Sequence, residues 1–285
     1  MRAAAAAPRL GAIVRLAVVL SFAATPLHAQ DWRDFASSRR RTDEQELRVK
    51  VRYGAGRIRL SPAQGSLLYR MQLRYDADHF TPVADYRRGD LEVGIDSGRG
   101  NVELKGRSQG SLDLELTREV PLALDLEMGA VRSEIELGGL RLTRLDLKTG
   151  ASETTLSVSE PNPLDASTIS VQVGAADFVM EDIGNLNAER VEIHAGVGDV
   201  TVDFGGQWRK DARVSVEMGL GGLELRLPPD LGVEILQDSF LTALDAEDLE
   251  RRGSRYVTPG FDRAERHVRI EIEAAFGRIR VVRAH

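Results

Sequence analysis

A repeat constrains this chain more than any other feature. Residues 124–137, LDLEMGAVRSEIEL, are echoed by residues 145–158, LDLKTGASETTLSV. A glycine marks the same place in successive copies: Gly129, Gly150, Gly174, Gly196 and Gly219, at steps of 21, 24, 22 and 23 residues. Gly54 and Gly98 have similar surroundings and lie 44 residues apart, two such steps. The segment between them, SLLYRMQLRYD, reads as a turn of the repeat without its glycine. The 31 residues from Gly98 to Gly129 read as one longer connection. On either side of each glycine, apolar residues alternate with polar ones. Leu122, Leu124, Leu126 and Met128 precede Gly129, and Ile135 and Leu137 follow it, with acids and Arg132 between them. Period two means a strand with one buried face. The glycine permits a corner that a side chain would resist. A unit of about 22 residues cannot bury its apolar face alone, but stacked copies can. The chain is therefore expected to be all-β, a β-solenoid with coils of about 22 residues. The competing architecture is a β-sandwich of ordinary hairpins.

Stacking makes a prediction about side chains, because equivalent positions of neighbouring coils lie about 4.8 Å apart. Glu127 should fall over Lys148, and Arg132 over Glu153. These are opposite charges in lateral register. Near the C-terminus the alternation breaks. Residues 238–266 read as an irregular excursion with a short helical turn at 245–251. Alternation resumes in RIEIEAAFGRIRVV, so residues 267–283 are expected to form the last coil or to cover the open end. Residues 30–47 are polar and read as a flexible lead-in to a single domain at 48–283.

The first 29 residues place Arg2, Arg9 and Arg15 around an apolar run and end on the small Ala29. That is the layout of a secretory signal peptide, the alternative being a retained N-terminal anchor. Beyond it no stretch is apolar and long enough to span a membrane, which predicts an exported chain, periplasmic or at the cell surface. Without cysteine, neither disulfides nor thiolate metal sites can form. The leader carries three of the 38 basic residues and no acid, so the remainder has 35 bases against 44 acids, a net charge near −9. That balance argues against nucleic acid as a partner.

Little chemistry stands out. GRSQG at residues 106–110 matches a nucleophile elbow at Ser108, but an alternating strand follows it instead of the helix an elbow needs. His79, His194, His267 and His285 have no partners at zinc-ligand spacing. The sharpest constellation is acidic. Three residues after the marker glycine stand Glu153, Asp177 and Asp199, and seven after it stand Glu181 and Asp203. If coils stack in order, all five carboxylates share one outward face. Such a face is a solvated surface that keeps sheets apart, a site for calcium or a cationic partner, or a pair of carboxyls tuned for glycoside chemistry. Trp208, in a loop between coils, either stacks on a sugar or caps a coil's apolar interior.

Three blocks together resemble bacterial toast-rack domains, including those of LiaF-like proteins of the cell-wall-stress response. They are GAGRIRLSPAQGSLLYRMQLRYD, VPLALDLEMGAVRSEIELGGLRLTRLDLKTGASETTLSVSEPN and ERRGSRYVTPGFDRAERHVRIEIEAAFGRIRV, in the family's order across most of residues 48–283. The resemblance implies a non-catalytic, β-rich envelope module, and it brings no catalytic residues to transfer. Unlike membrane-bound members, this chain shows no transmembrane segment after its leader. The expectation is an exported scaffold or binding module for an envelope protein or cell-wall polymer, with self-association through solenoid edges as a further route. Its rival is a polysaccharide-active or calcium-dependent carbohydrate-binding β-helix protein using the acidic face.

Overall fold

The computed structural model describes residues 31–97, 110–246 and 248–283. The leader, Gly98 and Ser108 lie outside them. Fifteen strands are present among the described residues. The first six are β1 (Trp32–Arg40), β2 (Leu47–Pro62), β3 (Leu67–Asp76), β4 (Phe80–Arg87), β5 (Asp90–Ser97) and β6 (Ser111–Leu116). The repeat supplies β7 (Leu122–Glu136), β8 (Leu142–Ser157), β9 (Thr168–Glu181), β10 (Arg190–Asp203) and β11 (Ala212–Leu227). Then come β12 (Gly232–Asp245), β13 (Glu250–Arg252), β14 (Arg255–Val257) and β15 (His267–Arg283). All belong to one sheet whose main path runs β1-β3-β6-β2-β7-β8-β9-β10-β11-β15-β12-β14-β13, with β5 and β4 branching from β2.

From β2 through β7 to β11 the strands are parallel and pair residue for residue on both sides of the marker glycine. Each strand is thus one coil with two arms. Inward positions stack into ladders. Before the glycine one ladder runs Val49, Leu124, Leu145, Ile169, Val191, Val214; after it another runs Leu60, Ile135, Leu156, Met180, Val202, Leu225. All twelve are buried. Burying each such side chain contributes about 1.5–3 kcal/mol, which is why the alternation had to be obeyed so strictly. The apolar connections Leu137–Leu140, Val158, Ile183–Leu186 and Phe204 join the same core. One polar step in a ladder is satisfied internally: the hydroxyls of Ser133 and Thr154 lie 2.6 Å apart in the core. In the turns, buried Asn162 accepts from the Leu142 N–H and donates to the Leu142 and Leu186 carbonyls, tying three coils together.

The marker glycines Gly54, Gly129, Gly150, Gly174, Gly196 and Gly219 stack on one another. A Cβ at Gly129 would lie 2.1 Å from the Gly54 carbonyl oxygen, and one at Gly219 would lie 2.5 Å from that of Gly196. At these two positions neighbouring backbone fills the space a side chain would need.

The ends depart from the sequence reading. SLLYRMQLRYD is not a parallel coil: β3 runs antiparallel to β6, and Leu122 follows β2 directly in the stack. The physical reason is that β2 splits its partners, its first arm pairing with β5 and its second with β6. The expected flexible lead-in at 30–47 is tied down where it is described, because β1 pairs antiparallel along β3, with the Ser37 hydroxyl 2.9 Å from that of Tyr69. At the other end β15 inserts between β11 and β12, so it is not the last coil. The excursion starts later than 238, since β12 continues to Asp245, and residues 250–257 form the hairpin β13–β14 laid on β12. The short helical turn falls at Phe261–Arg263 rather than at 245–251.

Candidate functional site: the corner strip

The bend at the marker glycine brings four columns to the surface. Two residues before the glycine the column reads Arg52, Glu127, Lys148, Gln172, His194, Glu217, Glu273, Asp238. The glycine column itself continues into Ala275 on β15. Together they border a groove of about 1500 Å³ that crosses the coils from Arg52 to Asp238. Its lining includes the peptide backbone of the glycines and the residues just before them, Tyr53, Met128, Val173 and Met218 among them.

One residue after the glycine lies a column that the sequence reading passed over. It runs Ala151, Ala175, Val197, Leu220, Phe276 in lateral register. In a regular strand this position would point inward. At the corner both the glycine and its successor face outward, and Val197, Leu220 and Phe276 are 51, 52 and 48% exposed. They are the three most exposed large apolar side chains among the described residues, and they form one contiguous row. A contiguous exposed apolar row marks an interaction surface more often than a lone exposed side chain does. The signal was legible: each copy has a small or apolar residue directly after its marker glycine.

Three residues after the glycine the column reads Arg57, Arg132, Glu153, Asp177, Asp199, Gly222, Arg278. The register therefore brings Glu153, Asp177 and Asp199 together as a row. Glu181 lies beside Ser157 in the row at the far end of the second arm, and it and Asp203 are half-buried. Three of the five carboxylates are engaged by the protein. Arg132 Nε donates to Glu153 at 2.9 Å, the Gly222 N–H to Asp199 at 3.1 Å, and the Gly205 N–H to Asp203 at 2.6 Å. Among the described residues no three acidic or histidine side chains converge as metal ligands would. Beside Asp203 stands a carboxyl that its surroundings push up, Asp182, which the sequence reading did not single out. Burial pushes it up, and the negative charges of Asp203 and Glu136 add to that.

The charge registers hold, with one refinement. Glu127 does stand beside Lys148, but its ion pair is with Lys50 on the other side, at 2.9 Å. His194 Nδ1 sits 2.9 Å from a Glu217 carboxylate oxygen on the next coil. Trp208 stacks on Phe204 with ring centroids 6.2 Å apart and donates its indole N–H to the Phe204 carbonyl at 2.7 Å. It is half-buried over Gly184 and joins the core cluster, the geometry of a cap on the coil interior.

The sequence matches the family described as the N-terminal domain of toast_rack, DUF2154, over residues 29–177 and 164–226. The chain belongs to the toast-rack family. Its solved structural neighbours include a candidate cell-adhesion protein of Clostridium sporogenes, 17% identical, covering 89% of this chain and 100% of that one, with a TM-score of 0.46. A candidate adhesin of Bacteroides fragilis is 11% identical over 88% of this chain and 97% of its own, with a TM-score of 0.41. These likenesses are too loose to carry any functional argument. No curated protein sequence matches.

Proposed function

We propose that this toast-rack chain is an exported, non-catalytic module of the bacterial cell envelope whose corner strip binds an envelope protein or a cell-wall polymer. The observation that carries the reading is the exposed row Val197–Leu220–Phe276 beside a groove that follows the glycine column. Such a surface offers apolar contact and backbone along its length, and it asks no residue for special reactivity. The leader layout of residues 1–29 supports export. The engagement of Glu153, Asp199 and Asp203 by protein donors supports a binding role over a catalytic one. A part in the envelope-stress response is the finer form of the same proposal, motivated by the LiaF-like resemblance.

The test is site-specific photo-crosslinking in the bacterium that makes the protein. A photoreactive residue at Leu220 is expected to trap an envelope component, and one at exposed Asp230, on a turn away from the strip, is not. Equal trapping at both positions, or none at Leu220, would overturn the corner as the binding surface. Recovery of the chain from the cytoplasm alone would overturn export.

A further inference from the structure

The strip is complementary to itself. Number positions from the marker glycine, and consider a two-fold axis parallel to the stack and passing over the bend, midway between the glycine and its successor. Residues two before the glycine in one copy then face residues three after it in the other, coil by coil. Glu127 meets Arg132, Lys148 meets Glu153, and Glu273 meets Arg278: three coils, three opposite-signed pairs. His194 meets Asp199, while Gln172 and Glu217 meet Asp177 and Gly222 with no like-charge conflict. The one like-signed pair, Arg52 with Arg57, falls at the end of the strip, where Glu92 already neutralises Arg52. The same operation places each glycine opposite the exposed apolar residue of the partner: Gly196 opposite Val197, Gly219 opposite Leu220, Ala275 opposite Phe276. The ridge of one copy meets the groove of the other.

From these columns we infer that the partner of the corner strip is a second copy of this chain, docked corner to corner about a two-fold axis. The inference rests on the reading of the strip as the binding surface and names what binds there. A two-fold interface must be self-complementary in shape and charge, and this strip meets both conditions. An arbitrary mixed-charge surface would produce like-signed pairs as often as opposite ones. The extent is also adequate. Eight stacked strands at about 4.8 Å span about 34 Å, and the five steps from two before the glycine to three after it span about 17 Å. That is roughly 600 Å² from each copy, the low end for a specific interface, so a reversible dimer is expected.

The experiment is sedimentation equilibrium of the chain from Gln30 onward at roughly 1–100 µM, the range in which an interface of this size associates. The wild type is expected to show a monomer–dimer equilibrium. Phe276→Asp and Leu220→Asp are expected to abolish the dimer. Both side chains are about half exposed, so the thermal midpoint should hold and separate lost association from lost folding. Glu273→Arg should weaken association at least about tenfold by setting like charges against each other. Adding Arg278→Glu in the same chain should restore it, because each residue's proposed partner is on the other copy. A wild type that stays monomeric, a Phe276→Asp variant that dimerises normally, or a double swap no better than Glu273→Arg would each overturn the inference. A monomer that still crosslinks to another envelope component through Leu220 sinks the dimer and leaves the corner as a binding surface. A monomer that crosslinks to nothing sinks both.

Discussion

Between β7 and β11 each strand lies on its neighbour in sequence, and every inward residue meets its own counterpart one coil away. At the two ends of the stack neither holds. The first end closes with antiparallel strands whose partners differ for the two arms of β2. The second takes β15 out of chain order and covers β12 with a short hairpin. The middle is stabilised by repetition, a nearest-neighbour sum in which equivalent contacts recur. The ends are secured by individual polar contacts that follow no period. Glu44, its side chain almost fully buried, accepts from the Thr42 N–H at 2.6 Å and the Tyr86 hydroxyl at 3.0 Å, pinning residues 41–46 to β4. Glu234 is buried on β12 between Arg255 of the covering hairpin and Arg269 of β15. An open sheet edge invites pairing with other chains, so a solenoid has to cap its ends, and caps need not obey the period.

The largest effect should come from the glycine column where the first end meets the middle. A Cβ at Gly129 would press to 2.1 Å on the Gly54 carbonyl oxygen, whereas one at Gly150 would sit 3.2 Å from that of Gly129. Backbone cannot move aside as a flexible side chain can. Gly129→Ala is expected to cost about 3 kcal/mol and Gly150→Ala under about 1 kcal/mol, read by urea denaturation. Equal losses would mean that the junction is as adaptable as the body.

Next is the buried carboxylate at the second end. Glu234→Gln removes the charge that both arginines address and should cost about 2 kcal/mol. Hydrogen exchange should rise in β13 and β14 while β8 to β10 stay protected. Uniform deprotection of the whole sheet would show that the hairpin is not a separable cap.

The body was legible because its period is enforced at every position. One-residue slips would turn each ladder of leucines and valines to solvent, so the alternation and the glycine spacing carry the register outright. Toast-rack membership was readable from the same blocks. The ends were not legible for a matching reason. β1 pairs through backbone and has only Phe35 packed against the core, so WRDFASSRR shows no clean alternation. The insertion of β15 depends on which of two similarly alternating strands meets β11, and local pattern is silent on that choice. Of the candidate site, the acidic row was correctly placed in register but its internal donors are mostly backbone N–H groups, which sequence does not display. The exposed row after the glycines was visible in the repeat and went unread because alternation carried over from the first arm assigns that position to the core.

The comparison also has a pH dimension. Burial alone would raise the Glu44 carboxyl, but hydrogen bonds from the Thr42 and Glu44 N–H groups, the Tyr86 hydroxyl and Arg39 outweigh it and hold it at about 2. A folded value below the unfolded one means the stabilisation is fully present above the unfolded carboxylate's range, near 4.5, and is lost as pH falls towards about 2. Thermal midpoints of wild type and Glu44→Gln should therefore differ most above about pH 5 and converge in acid. A gap that stays constant across that window would rule out the carboxylate as the source of the latch.

The smallest effect belongs to the body's own ion pairs. Arg132 and Glu153 stand in register on adjacent coils with side chains 67 and 61% exposed. Water competes for both charges, and holding two long side chains in place costs entropy, so a double-mutant cycle should return a coupling below about 0.5 kcal/mol that fades in high salt. Within the monomer the pair reports register and little else. In the proposed dimer Arg132 has a second acceptor, Glu127 of the other copy, and Glu153 a second donor in Lys148. Run once below and once above the association midpoint, the same cycle should then give a larger coupling in the associated state. Identical couplings at both concentrations would mean that these charges serve the stack alone.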